Sequence, residues 1–157
     1  MGLLASRIKE KYHRPVIAFA RGDNGQLKGS SRSIPGLHIR DALDAVASQN
    51  PGLISKFGGH AMAAGLSLDE DKLPAFKEAF QRQVAQLLSA DDLQAKIATD
   101  GELIQQQLSM QTAELLRDSG PWGQLFPEPC FEGEFEVLQQ RIVGEKHLKL
   151  VLAPVNE

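Results

Sequence analysis

Apolar residues along the first ninety positions change period several times, and each change marks an element. Leu3, Leu4 and Ile8 fall at helical spacing with Arg7, Lys9 and Lys11 elsewhere, so residues 3–12 read as a helix that Pro15 ends. Residues 15–20, PVIAFA, form a β-branched and apolar run, and GDNG at 22–25 is a turn signal. Together they predict a strand entering a hairpin, with a second strand over roughly 27–33. Leu37, Ala42, Leu43 and Val46 describe a helix that stops near Asn50-Pro51-Gly52, and a short helix is expected over 52–57. After Gly58 and Gly59 the small, apolar run AMAAGLSL suits a strand. Leu73, Phe76, Phe80, Val84 and Leu87 then mark an amphipathic helix with Pro74 in its first turn.

The predicted order up to about Leu88 is helix, strand, strand, helix, helix, strand, helix. This order implies an α/β fold with a mixed sheet covered by helices, complete as one domain over residues 1–88. Residues 89–101 are polar and acidic, which places a linker within 89–108. Beyond it, Met110, Ala113, Leu115 and Leu116 mark one amphipathic helix, and Gly120-Pro121 terminates it. A loop, PWGQLFPEP, precedes two alternating strands joined around Gly144-Glu145-Lys146. Residues 109–157 would thus be a helix and a β-hairpin, and a lone hairpin needs other strands to be stable.

Composition narrows the class. A chain of 157 residues buries about 70% of its unfolded surface, and 42% apolar with 24% charged residues is ordinary for a globular protein. No run is long enough to cross a membrane and no signal peptide is visible, so a cytoplasmic protein is expected. One cysteine, Cys130, and four scattered histidines show no zinc-ligand spacing. Net charge is −3, but residues 1–60 carry nine Lys and Arg against four Asp and Glu, whereas residues 61–157 carry eight against sixteen. A polyanion would meet the first part.

Two segments combine glycine, hydroxyls and cations, the ingredients of a phosphate cradle. In Gly29-Ser30-Ser31-Arg32-Ser33 the hydroxyls are donors and the arginine fork holds phosphate in a bidentate manner. In Gly58-Gly59-His60 adjacent glycines form a backbone nest and the imidazole adds a donor. Each also has a plain structural reading, as a hairpin-to-helix connection and as a tight helix-to-strand turn. Asp69, Glu70 and Asp71 are consecutive and suit a helix start, and Asp91-Asp92 lies in the linker, so no metal-binding cluster is expected. Phosphate-loop, hydrolase-elbow and zinc-protease motifs are missing as well.

GSSRSIPGLHIRDAL at 29–43 and KFGGHAMAAG at 56–65, in this order and separation, resemble the DHHA1 domain of DHH-family phosphoesterases. The stretches LLASRIKEKYHRPVIAFA and LLRDSGPWGQLFPEPCFEGEFEVLQQRIVGEKHLKLVL resemble the RecJ branch of that family. The resemblance implies a DHH domain, absent from this sequence, whose aspartates and histidines bind manganese or magnesium. It also implies an OB fold beginning in the final hairpin. The implied activity of the parent enzyme is 5′–3′ hydrolysis of single-stranded DNA in repair and recombination, with this chain itself inactive and holding no cofactor. On the same grounds Ser31, Arg32, Ser33, Gly58, Gly59 and His60 would bind substrate phosphate. Implied partners are single-stranded DNA, the DHH domain and single-stranded-DNA-binding protein. Two alternatives stay open: a phosphodiesterase unit for short RNAs or cyclic dinucleotides, and a noncatalytic interaction module.

Overall fold

The computed structural model describes residues 1–22, 25–123 and 126–155, and these fall into two compact units, 1–95 and 96–157. In the first unit, helix α1 (Gly2–Tyr12) leads into strands β1 (Val16–Arg21) and β2 (Gln26–Arg32). Helix α2 (Ile39–Gln49), strands β3 (Lys56–Gly59) and β4 (Ala63–Asp69), and helix α3 (Leu73–Leu87) follow. His13, at φ 46°, ends α1 in the left-handed conformation, and Pro15 prevents any continuation. The expected turn at 22–25 includes residues 23 and 24, outside the described residues. On either side of them, Gly22 N–H donates to Gln26 O at 2.7 Å and Gly25 takes φ 73°.

The four strands form one sheet in the order β1-β2-β4-β3, and every neighbouring pair is antiparallel. An α/β unit with helices on a sheet is therefore what the chain builds. The short helix expected over 52–57 is not formed. Gly52 takes φ 79° and ends the preceding turn, and residues 56–59 extend as β3, pairing Phe57 with Leu66 and Gly58 with Gly65. Phe57 packs against the buried cluster from the edge of the sheet, a position a helical turn would not give it.

Strand alternation sorts the sheet into two faces. Leu27, Gly29 and Ser31 of β2 and Ala64, Leu66 and Leu68 of β4 point to one face, where all but glycine's missing side chain are buried. There they meet Ile39, Ala42, Leu43 and Val46 of α2, and Phe76 of α3. Phe76, 2% exposed, stands edge-on to Phe19 and stacks on Phe80, each at 5.8 Å. Burying such a ring contributes about 1.5–3 kcal/mol, so Phe76 anchors α3 to the sheet. Gly29 is required on this face, because a Cβ there would lie 2.7 Å from Leu66 Cδ2 and 2.8 Å from Phe19 Cε1. On the opposite face α1 contacts β1 and β2, with Ala5 fully buried. Lys56 and Gly58 of β3 and Gly65 of β4, on the outward side, are exposed.

The start of the expected linker packs into this first unit. Leu88 is buried, Ser89 caps a turn through Asp92 (2.6 and 2.8 Å), and Arg14 donates to Leu93 O. The second unit holds helix α4 (Met110–Asp118) and the antiparallel strands β5 (Phe135–Val143) and β6 (His147–Pro154). Ser109 caps α4 by accepting from Thr112 N–H at 3.2 Å. The loop PWGQLFPEP includes residues 124 and 125, outside the described residues; in its described part Trp122 and Phe126 lie 5.0 Å apart. The β5–β6 hairpin exposes Phe135, Leu138, Ile142, Leu148 and Leu152, so the buried apolar core of the described residues lies wholly in the first unit.

Candidate functional site

The two phosphate-cradle segments meet at one end of the sheet, and backbone pairing brings them there. Arg32, the last residue of β2, faces Ala63, the first of β4, while Gly59 ends β3 opposite Ala64. Residues 60–62 connect β3 to β4 as a tight loop closed by His60 N–H donating to Ala63 O at 2.8 Å. The same loop accepts from Ser33 N–H at Met62 O (3.0 Å) and from Ile39 N–H at Ala61 O (2.9 Å). His60 is therefore locked beside the exit of β2 and the first turn of α2. His38 caps that helix, its Nδ1 accepting from Asp41 N–H at 3.3 Å.

Gly59 makes this geometry possible. It takes φ 150°, and a Cβ there would stand 2.4 Å from both Ala63 O and Ala64 Cα. These are backbone atoms that cannot swing aside, so only glycine fits. Gly58 is different: its φ is not positive and a Cβ would meet nothing within 4 Å. The glycine pair is thus an extended strand end and not the anion-cradling nest that composition suggests. His60, the first residue of the loop, is exposed.

The hydroxyls of the first segment point inward. Ser31, fully buried, donates to Ala64 O at 2.8 Å and accepts from Ala64 N–H at 3.1 Å. Ser33, 1% exposed, donates to Leu37 O at 2.7 Å. Both side chains tie the exit of β2 to its neighbours and neither faces solvent. Arg32 lies on the opposite face, partly buried, with its guanidinium folded back along the strand. Nη1 donates to Ser31 O at 2.8 Å and to Ser30 Oγ at 3.4 Å. Gly2 of α1 passes so close that a Cβ there would lie 2.8 Å from Nη2. Among the described residues no carboxylate pairs with Arg32. Ser30, part of the glycine–serine segment but not among the residues the resemblance assigns to phosphate, shares the outward face with Arg32. The signal was available, because residues two apart on a strand share a face.

The arrangement brings together, at one end of the sheet, a guanidinium (Arg32), the loop that bears an exposed imidazole (His60) and one outward hydroxyl (Ser30), groups of the kind that bind anions. Among the described residues no three of His, Cys, Asp and Glu come together as a metal site. A divalent metal of the kind expected from the DHH domain does not fit the residues present.

The fold and this pair of loops define a DHHA1-type domain joined to an OB-type unit. The family model described as "DHHA1 domain" matches residues 1–86, and that described as "RecJ OB domain" matches residues 99–156. The chain belongs to the DHHA1 family, and its two parts are those found together in RecJ. It is 57% identical over 156 residues to the single-stranded-DNA-specific exonuclease RecJ of Escherichia coli, covering 99% of this chain and 27% of that protein. It also resembles the crystal structure of RecJ from Thermus thermophilus in complex with Mg2+, with a TM-score of 0.73 and 33% identity over 97% of this chain and 23% of that one. The Mn2+ complex of the same protein gives a TM-score of 0.72. The chain spans about a quarter of the length of the curated relatives it matches.

Proposed function

We propose that this chain is the phosphate-gripping part of a single-stranded-DNA-specific 5′–3′ exonuclease acting in DNA repair and recombination, and that it does not cleave on its own. The observation that carries this reading is the pairing of β2, β4 and β3, which sets Arg32 beside the loop bearing His60 at one end of the sheet. Arg32 and His60 hold substrate phosphate, with Gly58 and Gly59 giving the backbone close access. Ser31 and Ser33 serve the site by fixing its frame through their buried hydrogen bonds. Positioned cations of this kind favour phosphoryl transfer electrostatically, without taking part in bond making. Manganese or magnesium belongs to the DHH domain of the parent enzyme, which meets this chain across the cleft. That metal is supported by the Mg2+ and Mn2+ complexes of the Thermus thermophilus relative.

In the same reading residues 1–88 form the substrate-binding domain, 89–108 the linker and 109–157 part of an OB fold. Single-stranded-DNA-binding protein is a partner of the whole enzyme, which works in the cytoplasm. No helix among the described residues is long and apolar enough to cross a membrane. The test is a titration of labelled 5′-phosphorylated single-stranded DNA at low salt, with and without manganese. We expect salt-sensitive binding that Arg32→Ala with His60→Ala abolishes, and no cleavage. Unchanged binding in the double variant would overturn the residue roles, and metal-dependent cleavage by the purified chain would overturn the noncatalytic assignment.

A further inference from the structure

The outward face of β2, β4 and β3 carries a pattern that the Arg32–His60 site leaves unexplained. The strand register orders it into cross-strand rows. Lys56, Ser67 and Lys28 form one row, Gly58, Gly65 and Ser30 the next, and Ala63 and Arg32 the last. Lys28, Lys56, Gly58 and Gly65 are exposed. Together with Ser67 and the strand edges at Gly29, Phe57 and Leu66 they line an open groove of about 430 Å³. Neighbouring strands lie about 4.8 Å apart, so the two lysines flank the groove at roughly 10 Å. Along β2, Lys28 and Arg32 are four residues apart, or about 13 Å.

Packing does not enforce the two glycines of this face, Gly58 and Gly65. Gly29 and Gly59 are enforced by contacts under 3 Å, but Gly58 has nothing within 4 Å of its missing Cβ, and Gly65 has only Gly29 O at 3.8 Å. Neither takes a positive φ. A strand glycine costs about 0.5–1 kcal/mol relative to alanine, and here two are paired directly across β3 and β4. Without side chains they leave the groove between Lys28 and Lys56 open. Among the described residues, Lys28 and Lys56 have no carboxylate within ion-pair distance, so both charges remain available.

We infer that this groove is a track for the sugar-phosphate backbone of a single strand, with Lys28 and Lys56 holding phosphates further along the chain whose end is gripped at Arg32 and His60. The inference rests on the proposed phosphate site, extending it from one anchored phosphate to a path of several. Floor residues without side chains suit a backbone that lies flat, and lysines suit point contacts with phosphates that carry no base information.

The test uses the full chain with 5′-phosphorylated oligothymidylates of two lengths, a dinucleotide and a strand of about 12 nucleotides. Binding is followed by amide chemical shifts for the first and by fluorescence anisotropy for the second. Lys28→Gln with Lys56→Gln should weaken the longer strand roughly tenfold at low salt and lower its log–log salt slope by about 1 to 1.5, at ~0.7 per phosphate contact. The dinucleotide should be unaffected. Gly65→Val, which has open space and a strand-favouring side chain, should fill the groove and weaken the longer strand while the melting temperature holds or rises. Arg32→Ala should weaken both lengths. If the lysine and valine variants bind the longer strand like wild type while Arg32→Ala fails, the track is overturned and the phosphate site stands. Equal weakening of both lengths by the lysine variants would reduce them to general charge and also overturn it. If Arg32→Ala leaves both lengths unchanged, the phosphate site itself falls, and the track that starts from it falls too.

Discussion

Replacing Ser31 by alanine separates a buried strut from a ligand contact. The hydroxyl makes two hydrogen bonds to Ala64, donating to its carbonyl at 2.8 Å and accepting from its N–H at 3.1 Å, in a fully buried position. Each such bond contributes about 1 kcal/mol net, so Ser31→Ala should destabilise the first unit by about 2 kcal/mol. For a domain of this size, 1 kcal/mol corresponds to roughly 4–8 °C, which places the melting transition about 8–16 °C lower. Calorimetry gives the shift, and urea denaturation should show a lower midpoint with an unchanged slope, because the folded surface is the same. Below its transition the variant should bind 5′-phosphorylated single-stranded DNA within about threefold of wild type, as expected when no charge-assisted contact is lost. A variant that melts like wild type yet loses as much affinity as Arg32→Ala would refute the reasoning and return the Ser31 hydroxyl to the phosphate.

Two further outcomes follow from local geometry. Gly59→Ala should cost about 2–4 kcal/mol in denaturant unfolding, since its Cβ meets backbone at 2.4 Å, whereas Gly58→Ala next to it should be neutral or slightly stabilising. Equal effects at the two positions would contradict the strand geometry assigned to them. At the end of α4, the Arg117 guanidinium bonds Asp118 at 2.8 and 3.1 Å and holds its carboxyl below the usual aspartate range. The contribution of this pair to stability is present above the unfolded aspartate value and fades as pH falls through the lower folded one. Arg117→Gln should therefore move the Asp118 carboxyl titration, followed by carbon NMR, upward toward its ordinary value.

The long-period elements were legible because their signals are redundant. The stripe through Phe76 and Phe80 and the run Leu43 to Val46 each specify a helix and the face it buries, and both are seen. The α/β class follows from their alternation with VIAFA and AAGLSL. Residues 52–57 were not legible, because a six-residue stretch with one apolar pair, Leu53-Ile54, and a single Phe57 fits a helical turn as well as a strand approach. Pairing of Phe57 with Leu66 decides between them, and that contact is not local. The candidate site was half legible. Glycine, serine and arginine in one segment mark a candidate phosphate cradle, but which hydroxyls share the arginine's face depends on alternation. Leu27 is buried, so Gly29 and Ser31 follow it inward, while Lys28, Ser30 and Arg32 turn outward. Composition alone weights all three serines equally; the register does not.

The most direct test of the phosphate grip is to map where the strand sits. An isotope-labelled full chain is titrated with 5′-phosphorylated single-stranded DNA while amide and arginine side-chain resonances are followed. The account predicts perturbations centred on residues 28–33 and 56–65, including the Arg32 guanidinium and the amides around His60. Perturbations confined to β5 and β6, with residues 30–33 and 58–63 silent, would contradict it.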